Sequence, residues 1–205
     1  MPPFVRGIVT ARRDHTTRKP ISQCGQAMRA LVRCRSCSGP SWIHNDGIGD
    51  QVATFETEPR TEAHILARLA ERERFPMLVA TDGDVVIGWA GLSSYRSRAC
   101  YAGIAEFSIY LDRTVRGRGI GRQLLTSLID AARRHGYWKL VSRIFPFNEG
   151  SRALCRSCGF REVGVYEKHS RLDGEWLDVV IVERLIPENL IHVNTRGTGG
   201  SRVNA

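Results

Sequence analysis

Hydrophobic and polar positions change their spacing along the chain, and these changes predict the order of its elements. Apolar residues recur at helical spacing within residues 62–74, after Thr61 as a suitable N-cap, which predicts an amphipathic helix. Two short apolar runs, residues 77–80 and 85–92, flank the turn sequence Asp82-Gly83-Asp84 and predict a β-hairpin. A third strand is predicted over residues 104–111.

The second half of the chain alternates strands with helices. A stripe of Leu and Ile residues from Leu124 onwards predicts a long helix that ends at Gly136. Further strands are predicted at residues 139–145, 160–166 and 176–185, with a short helix at 148–158. This mixture predicts an α/β or α+β domain with one partly parallel sheet, and it excludes a helical bundle or a β-sandwich.

Composition and charge lead to expectations about the partners, the compartment and the C-terminal tail. The chain has 205 residues and a net charge of +9, but residues 1–42 hold eight basic residues against one acidic residue, so the remainder is nearly neutral. We therefore expect no nucleic-acid partner. No apolar run is long enough to span a membrane or to serve as a secretory signal, so a cytoplasmic protein with reduced cysteines is expected. Residues 188–205 are expected to form a disordered tail.

The segment Val115–Arg122 lies between a predicted strand and the strongest predicted helix. Its glycines, Gly117, Gly119 and Gly121, allow successive backbone N–H groups to converge, and the helix directs its positive end at the same place. A phosphate group is expected there, with a plain turn as the alternative. The segment lacks the Gly-Lys-Ser/Thr ending of a P-loop, and no acidic ribose ligand follows it.

With its surroundings, this segment resembles the acetyl-CoA motif of the GNAT N-acetyltransferases. The pattern Arg116-x-x-Gly119-x-Gly121 follows the strand at 106–111 and precedes Asn148 and Gly159-Phe160. Three further segments, at residues 54–59, 98–101 and 174–178, resemble the phosphinothricin N-acetyltransferase branch and its arsinothricin-resistance relatives. The resemblance covers residues 42–187 as one domain. It implies a central mixed, mostly antiparallel twisted sheet flanked by helices, and commonly a homodimer.

The resemblance also implies roles for individual residues. Acetyl-CoA is the expected cosubstrate, no metal is expected, and the acceptor is a small amino-acid-like amine such as phosphinothricin, methionine sulfoximine or arsinothricin. Glu106 matches the carboxylate that this branch uses as general base. Phe55, Arg98 and Tyr101 are expected at the acceptor, where Arg98 would pair with an anionic group. The cofactor residues implied by the family are Ile109, Tyr110, Leu111, Arg116, Gly117, Arg118, Gly119, Ile120, Gly121, Arg122 and Asn148.

Cys155 departs from the family pattern. It stands where many GNAT enzymes have a tyrosine and phosphinothricin acetyltransferases have a histidine. With an ordinary thiol pKa near 8.5 it could protonate the departing CoA thiolate, and the alternative is that it only fills space in the core. Cys155→Ala would slow turnover if Cys155 is the proton donor, but not if it only fills space.

Three other functions stay open at this point. The pairs Cys34/Cys37 and Cys155/Cys158 could form a four-thiolate zinc site, although their separation is far longer than in a zinc ribbon. The acceptor could instead be a protein N-terminus or another amine, or the domain could bind acyl-CoA without catalysis.

The region before the domain is atypical. The family usually opens with a strand and a helix, whereas residues 34–41 lack helical spacing and contain Gly39-Pro40. Residues 1–41 are therefore interpreted as a basic extension, disordered or out of the natural reading frame.

Overall fold

The computed structural model describes residues 21–23, 62–83 and 85–190, and side chains within these ranges except those of 21–23, Glu62 and Ile65. Within these ranges, seven strands form one sheet, and three α-helices pack with it. The strands are β1 Ile21–Gln23, β2 Met77–Asp82, β3 Val85–Ser94, β4 Ile104–Leu111, β5 Lys139–Ile144, β6 Arg161–Leu172 and β7 Glu175–Leu185. The helices are α1 Glu62–Ala70, α2 Ile120–Arg134 and α3 Glu149–Ser157. None of the helices in the described ranges is long and apolar enough to cross a membrane.

The sheet has the order β1-β2-β3-β4-β5-β7-β6 and is antiparallel except between β4 and β5. The expected fold class, a mixed and mostly antiparallel sheet with helices, is confirmed. The parallel pair is short, because only Ile104, Ala105 and Glu106 have partners on β5. Beyond Glu106 the two strands separate, and the Ser142 hydroxyl donates to the Phe107 carbonyl oxygen at 2.9 Å where the next ladder bond would be. This separation exposes the C-terminal half of β4.

Two apolar clusters lie on opposite faces of the sheet. The larger cluster packs α2 and α3 against one face and contains Leu124, Leu128, Phe107 and Leu140. The smaller one lies on the side of α1 and is centred on Trp89, which stacks on Tyr110 with ring centroids 5.0 Å apart. Since side chains alternate along a strand, Ala105 and Phe107 belong to the larger core and Glu106 points to the other face.

The β6–β7 hairpin is longer than predicted. We predicted strands at 160–166 and 176–185, whereas the observed pair extends to Leu172 and Glu175. The turn residues Asp173 and Gly174 both have positive φ, 49° and 90°, as a tight two-residue hairpin requires. The polar residues 167–171 hide the alternation that would have predicted this part of the strand, and the register is irregular between Tyr166 and Ser170.

Two element ends also differ from the prediction. Helix α1 ends at Ala70 instead of Arg74, and turns continue to Phe75. Residues 187–189, at the expected start of the tail, form a 3-10 turn, and the Asn189 amide donates to the carbonyl oxygens of Arg133 and Tyr137, both at 2.8 Å. Residues 191–205 lie outside the described part of the chain.

Candidate active site

The exposed half of β4, the start of α2 and helix α3 enclose a cavity of about 470 Å³. It is lined by nine of the eleven residues predicted for the cofactor: Ile109, Tyr110, Leu111, Arg116, Gly117, Gly119, Gly121, Arg122 and Asn148. The other two behave differently, because Arg118 is exposed away from the lining and the Ile120 side chain is buried in the larger core. Only the backbone of Ile120 can therefore contribute to the cavity.

The glycine-rich loop presents open backbone at one end of this cavity. Gly117 and Gly119 have φ values of 74° and 79°, a conformation that side chains other than glycine rarely adopt. Gly119 is the N-cap of α2, so no side chain accepts a hydrogen bond from the first N–H groups of the helix. A Cβ atom built on Gly117 or Gly119 would meet nothing within 4 Å. The loop therefore fits an anionic phosphate group held by backbone N–H groups and the helix dipole.

Two polar side chains shape the rest of the cavity wall. The Arg116 guanidinium donates from Nε and Nη2 to the Leu111 carbonyl oxygen, both at 3.3 Å, and so joins the loop to the end of β4. Asn148 is the N-cap of α3, and its Oδ1 accepts from the Ser151 N–H at 3.0 Å. Both residues line the cavity and also fix the backbone that forms it.

Helix α3 is held in place by an ion-pair network that the sequence did not reveal. Arg152 donates to Glu162 on β6, to Glu149 on α3 and to the carbonyl oxygen of Pro146. Arg156 adds a second contact to Glu162 at 2.8 Å. The hydrogen bond from Arg152 is the main reason that the pKa of Glu162 lies below its ordinary value. Charge pairing thus joins the helix that closes the cavity to the edge strand.

Glu106 lies about 10 Å along β4 from Ile109, at the point where β4 and β5 separate. Its carboxylate pairs with the guanidinium of Arg143 on β5, and 25% of its side chain is exposed. Burial raises the pKa of Glu106 above the ordinary glutamate value, and the charge of Arg143 opposes this rise without cancelling it. A raised pKa brings a carboxylate closer to the range that suits a general base at neutral pH.

Sequence reasoning missed Arg143. The residue follows Val141, the register partner of Glu106, by two positions, so it lies on the same face of the sheet. The alternation of β5 carried this signal, but only the pairing of two strands distant in sequence brings Arg143 to Glu106.

The structure places Cys155 away from the cavity. Its side chain belongs to the larger core and is 2% exposed, while the neighbouring Leu154 and Ser157 line the cavity. Burial raises the pKa of the Cys155 thiol to about 12. A thiol of that pKa is a poor proton donor for a thiolate whose own pKa is near 8.5. The geometry therefore favours the core-filling alternative over the proton-donor hypothesis.

The segment before β4 contains the predicted acceptor residues. Arg98 is exposed, and within the described residues its side chain forms no hydrogen bond or ion pair. Tyr101 packs edge-on against Tyr95, and the Arg96 guanidinium lies over both rings, 5.2 Å from the Tyr95 centroid and 5.8 Å from the Tyr101 centroid. Phe55 lies outside the described residues, so its predicted position in the acceptor pocket stays a prediction.

The structure describes only half of the suggested four-thiolate zinc site. Cys155 and Cys158 are buried free thiols, and Cys34 and Cys37 are outside the described ranges. Among the residues that the structure describes, no three His, Cys, Asp or Glu side chains form a group that could hold a metal ion.

Comparison with known proteins identifies the family. The Acetyltransferase (GNAT) family matches residues 43–160, more than half of the chain. The chain belongs to this family. Within it, this GNAT protein is 33% identical over 144 residues to the L-methionine sulfoximine/L-methionine sulfone acetyltransferase of Pseudomonas aeruginosa, covering 69% of this chain and 84% of the relative. It is also 33% identical to the phosphinothricin N-acetyltransferase of Streptomyces coelicolor over 147 residues, covering 69% and 86%.

Solved structures agree with the fold of this GNAT protein. A phosphinothricin acetyltransferase from Sinorhizobium meliloti in complex with acetyl-CoA matches with a TM-score of 0.71 and 28% identity, covering 82% of this chain and 88% of the other. A ribosomal-protein-alanine N-acetyltransferase from Brucella melitensis also matches with a TM-score of 0.71, at 30% identity, covering 81% and 99%. This GNAT protein is thus an N-acetyltransferase by family, and the two structures differ in the acceptors that their names state.

Proposed function

We propose that this GNAT protein transfers the acetyl group of acetyl-CoA to the amine of a small amino-acid-like acceptor, with phosphinothricin, methionine sulfoximine and arsinothricin as candidates. The observation that carries the proposal is that β4 bears both groups, with residues 109–111 lining the cavity and Glu106 lying three residues before them. The glycine-rich loop at one end suits a diphosphate, and the carboxylate beyond the other end suits an amine. The named activities of the two relatives support the same acceptor class.

In this proposal, Glu106 accepts the proton that the acceptor amine must lose. Acetyl-CoA supplies a thioester, and the amine displaces its thiol, so one proton leaves the nitrogen and one joins the sulfur. Beyond Glu106, β4 has no pairing partner on β5, and residues 109–111 line the cavity, so this free edge of β4 is where an extended chain is held. Loop amides between Arg116 and Arg122 bind the diphosphate. Arg98 and Tyr101 bind the acceptor.

A protein N-terminus is the second candidate acceptor, because the Brucella structure is named for a ribosomal protein alanine. The two candidates differ in size and charge. A peptide presents a neutral carbonyl beside its α-amine, whereas a free amino acid presents a carboxylate there.

An acetyl-transfer assay that follows thiol release separates these possibilities. We expect turnover with phosphinothricin, methionine sulfoximine or arsinothricin and little with a short alanine-terminated peptide. Turnover of the peptide alone would assign the second function. Uptake of acetyl-CoA in a calorimetric titration, with no thiol release for any amine, would instead show a binding module without catalysis.

The remaining proposals concern the assembly and its compartment. We propose a homodimer, because the edge strand β6 exposes Val163, Val165 and Tyr166, each at least half accessible. The cytoplasm is proposed as its compartment from the sequence pattern alone. Light scattering on the purified protein would give a mass of two chains if this is correct.

A further inference from the structure

Arg143 has no role in the family resemblance or in the proposed reaction. Arg143 and Glu106 come from neighbouring strands, point to the same face of the sheet and are in direct contact. Both side chains remain partly accessible, 42% for Arg143 and 25% for Glu106. An anion and a cation are therefore presented together at the place where the acceptor amine is expected.

We propose that Arg143 binds the α-carboxylate of the acceptor while Glu106 receives the proton of its α-amine. An α-amino acid carries its ammonium and carboxylate groups on one carbon atom, so a site for both needs opposite charges side by side. The contact between Glu106 and Arg143 supplies this arrangement. The inference rests on the proposed function and narrows its substrate class to free α-amino acids.

Arg143 has the capacity for such a ligand. A guanidinium carries five N–H donors in a planar fork that matches a carboxylate. Within the described residues, Glu106 is the only hydrogen-bond or ion-pair partner of the Arg143 side chain. With two-fifths of the side chain accessible, the remaining donors can reach an entering carboxylate.

Three other cations on the described part of this face are already engaged with protein atoms. Lys139 on β5 and Arg161 on β6 both pair with Glu183 on β7. Arg68 on α1 donates to the Leu92 carbonyl oxygen at 3.0 Å and lies over the Trp89 ring. Tyr110, further along β4, stacks on the same ring. Arg143 is thus the cation on the described part of this face that meets Glu106.

Arg143→Met tests the assignment when two acceptors are compared. One is methionine sulfoximine and the other is the matching amine that lacks only the carboxylate. We expect the preference of the enzyme for the amino acid, measured as the ratio of kcat/KM values, to fall about 10- to 100-fold in Arg143→Met, the range of one lost charge-assisted hydrogen bond. Arg143→Lys keeps the charge but loses the fork, so an intermediate preference is expected.

A structural or purely electrostatic role gives a different pattern. If Arg143 acts only through Glu106, both acceptors lose kcat/KM by the same factor and the acid limb of the pH profile moves, which would overturn the assignment. Arg134→Met, which removes an exposed charge at the end of α2, is the matched control and should leave the preference unchanged. Thermal melting and acetyl-CoA binding establish that each variant is folded.

Binding of methionine sulfoximine in the presence of CoA is measured in parallel by calorimetry. We expect Arg143→Met to weaken this binding about 10-fold or more. This readout does not depend on turnover, so it decides the role of Arg143 even if the wild type transfers no acetyl group. In that event the proposed function fails on the assay, whereas equal binding by wild type and Arg143→Met would refute the inference.

Discussion

At Glu106, burial and charge act on the carboxylate in opposite directions. Burial raises its pKa, Arg143 lowers it, and the net result is a pKa above the ordinary value. A carboxylate whose pKa is higher in the folded state than in the unfolded state costs stability once the pH exceeds both values. Ionisation of Glu106 therefore comes at some expense to the stability of the fold, which is consistent with a role in chemistry.

Glu106→Gln should separate the catalytic role of Glu106 from its effect on stability. We expect kcat to fall about 100-fold or more through loss of the general base, with an unchanged acetyl-CoA Kd. The melting temperature at pH 7 should not fall, because glutamine mimics the protonated form that the folded state favours. In the wild type, kcat/KM should decline as the pH drops through the raised pKa of Glu106. A variant with full activity would remove Glu106 from the mechanism.

For Cys155 we expect the reverse of Glu106: a substitution should affect stability but not turnover. Because the thiol is buried in the larger core, Cys155→Ala should lower the free energy of unfolding by about 1–2 kcal/mol. The folded fraction should retain its kcat, since the side chain does not line the cavity. Denaturant unfolding and steady-state kinetics measure the two quantities. Cys100→Ala is the control at an exposed thiol and should change neither. Slower turnover by folded Cys155→Ala would restore the proton-donor hypothesis.

At the scale of elements, close packing aligns the start of the parallel pair. A Cβ atom on Gly103, just before β4, would overlap the ring of Trp138, just before β5. The Gly103 carbonyl oxygen also accepts from the N–H groups of Trp138 and Lys139, at 2.8 and 3.3 Å. This contact fixes the register that brings Glu106 beside Val141 and, two residues on, Arg143.

Gly103→Ala should therefore destabilise the protein by about 1–3 kcal/mol, as overpacking of a filled site does. Trp138→Ala makes room for the added methyl group, so the same change should cost less in that background. A double-mutant cycle in urea measures the difference. Gly164→Ala on β6 is the control, since its Cβ would meet nothing within 4 Å. Equal costs in both backgrounds would show that the contact with Trp138 does not limit this position.

The helices and strands differ in how far the sequence could predict them. Helix α2 and the loop before it were predictable because helical spacing, glycine positions and a following helix dipole are local features. The length of β6 was not, since residues 167–171 are polar and only the Asp173-Gly174 turn marks the hairpin. The Glu106–Arg143 pair was also missed, because 36 residues separate the two in the chain and the sheet alone joins them.

In the molecule as a whole, the separation of β4 and β5 divides the sheet into two parts that contribute different groups to the site. The N-terminal halves pair and position Glu106 with Arg143, while the separated half of β4 lines the cavity. Helices α2 and α3 complete the cavity, and α3 is tied to the opposite edge of the sheet through Arg152 and Glu162. A ligand in the cavity should therefore contact elements from both sides of the separation and stabilise the molecule as a unit.

Acetyl-CoA should raise the melting temperature for this reason. At about 100 times its Kd, a ligand that binds only the folded state adds about 2.7 kcal/mol, which corresponds to about 5–11 °C for a protein of this size. Gly119→Val should abolish the shift, because valine at φ 79° strains the loop by about 1–2 kcal/mol and alters its N–H groups. Gly83→Val in the β2–β3 turn carries a comparable strain at φ 59°, yet lies outside the cavity lining. It should lower the starting melting temperature and keep the full shift, so equal responses of the two variants would place the diphosphate elsewhere.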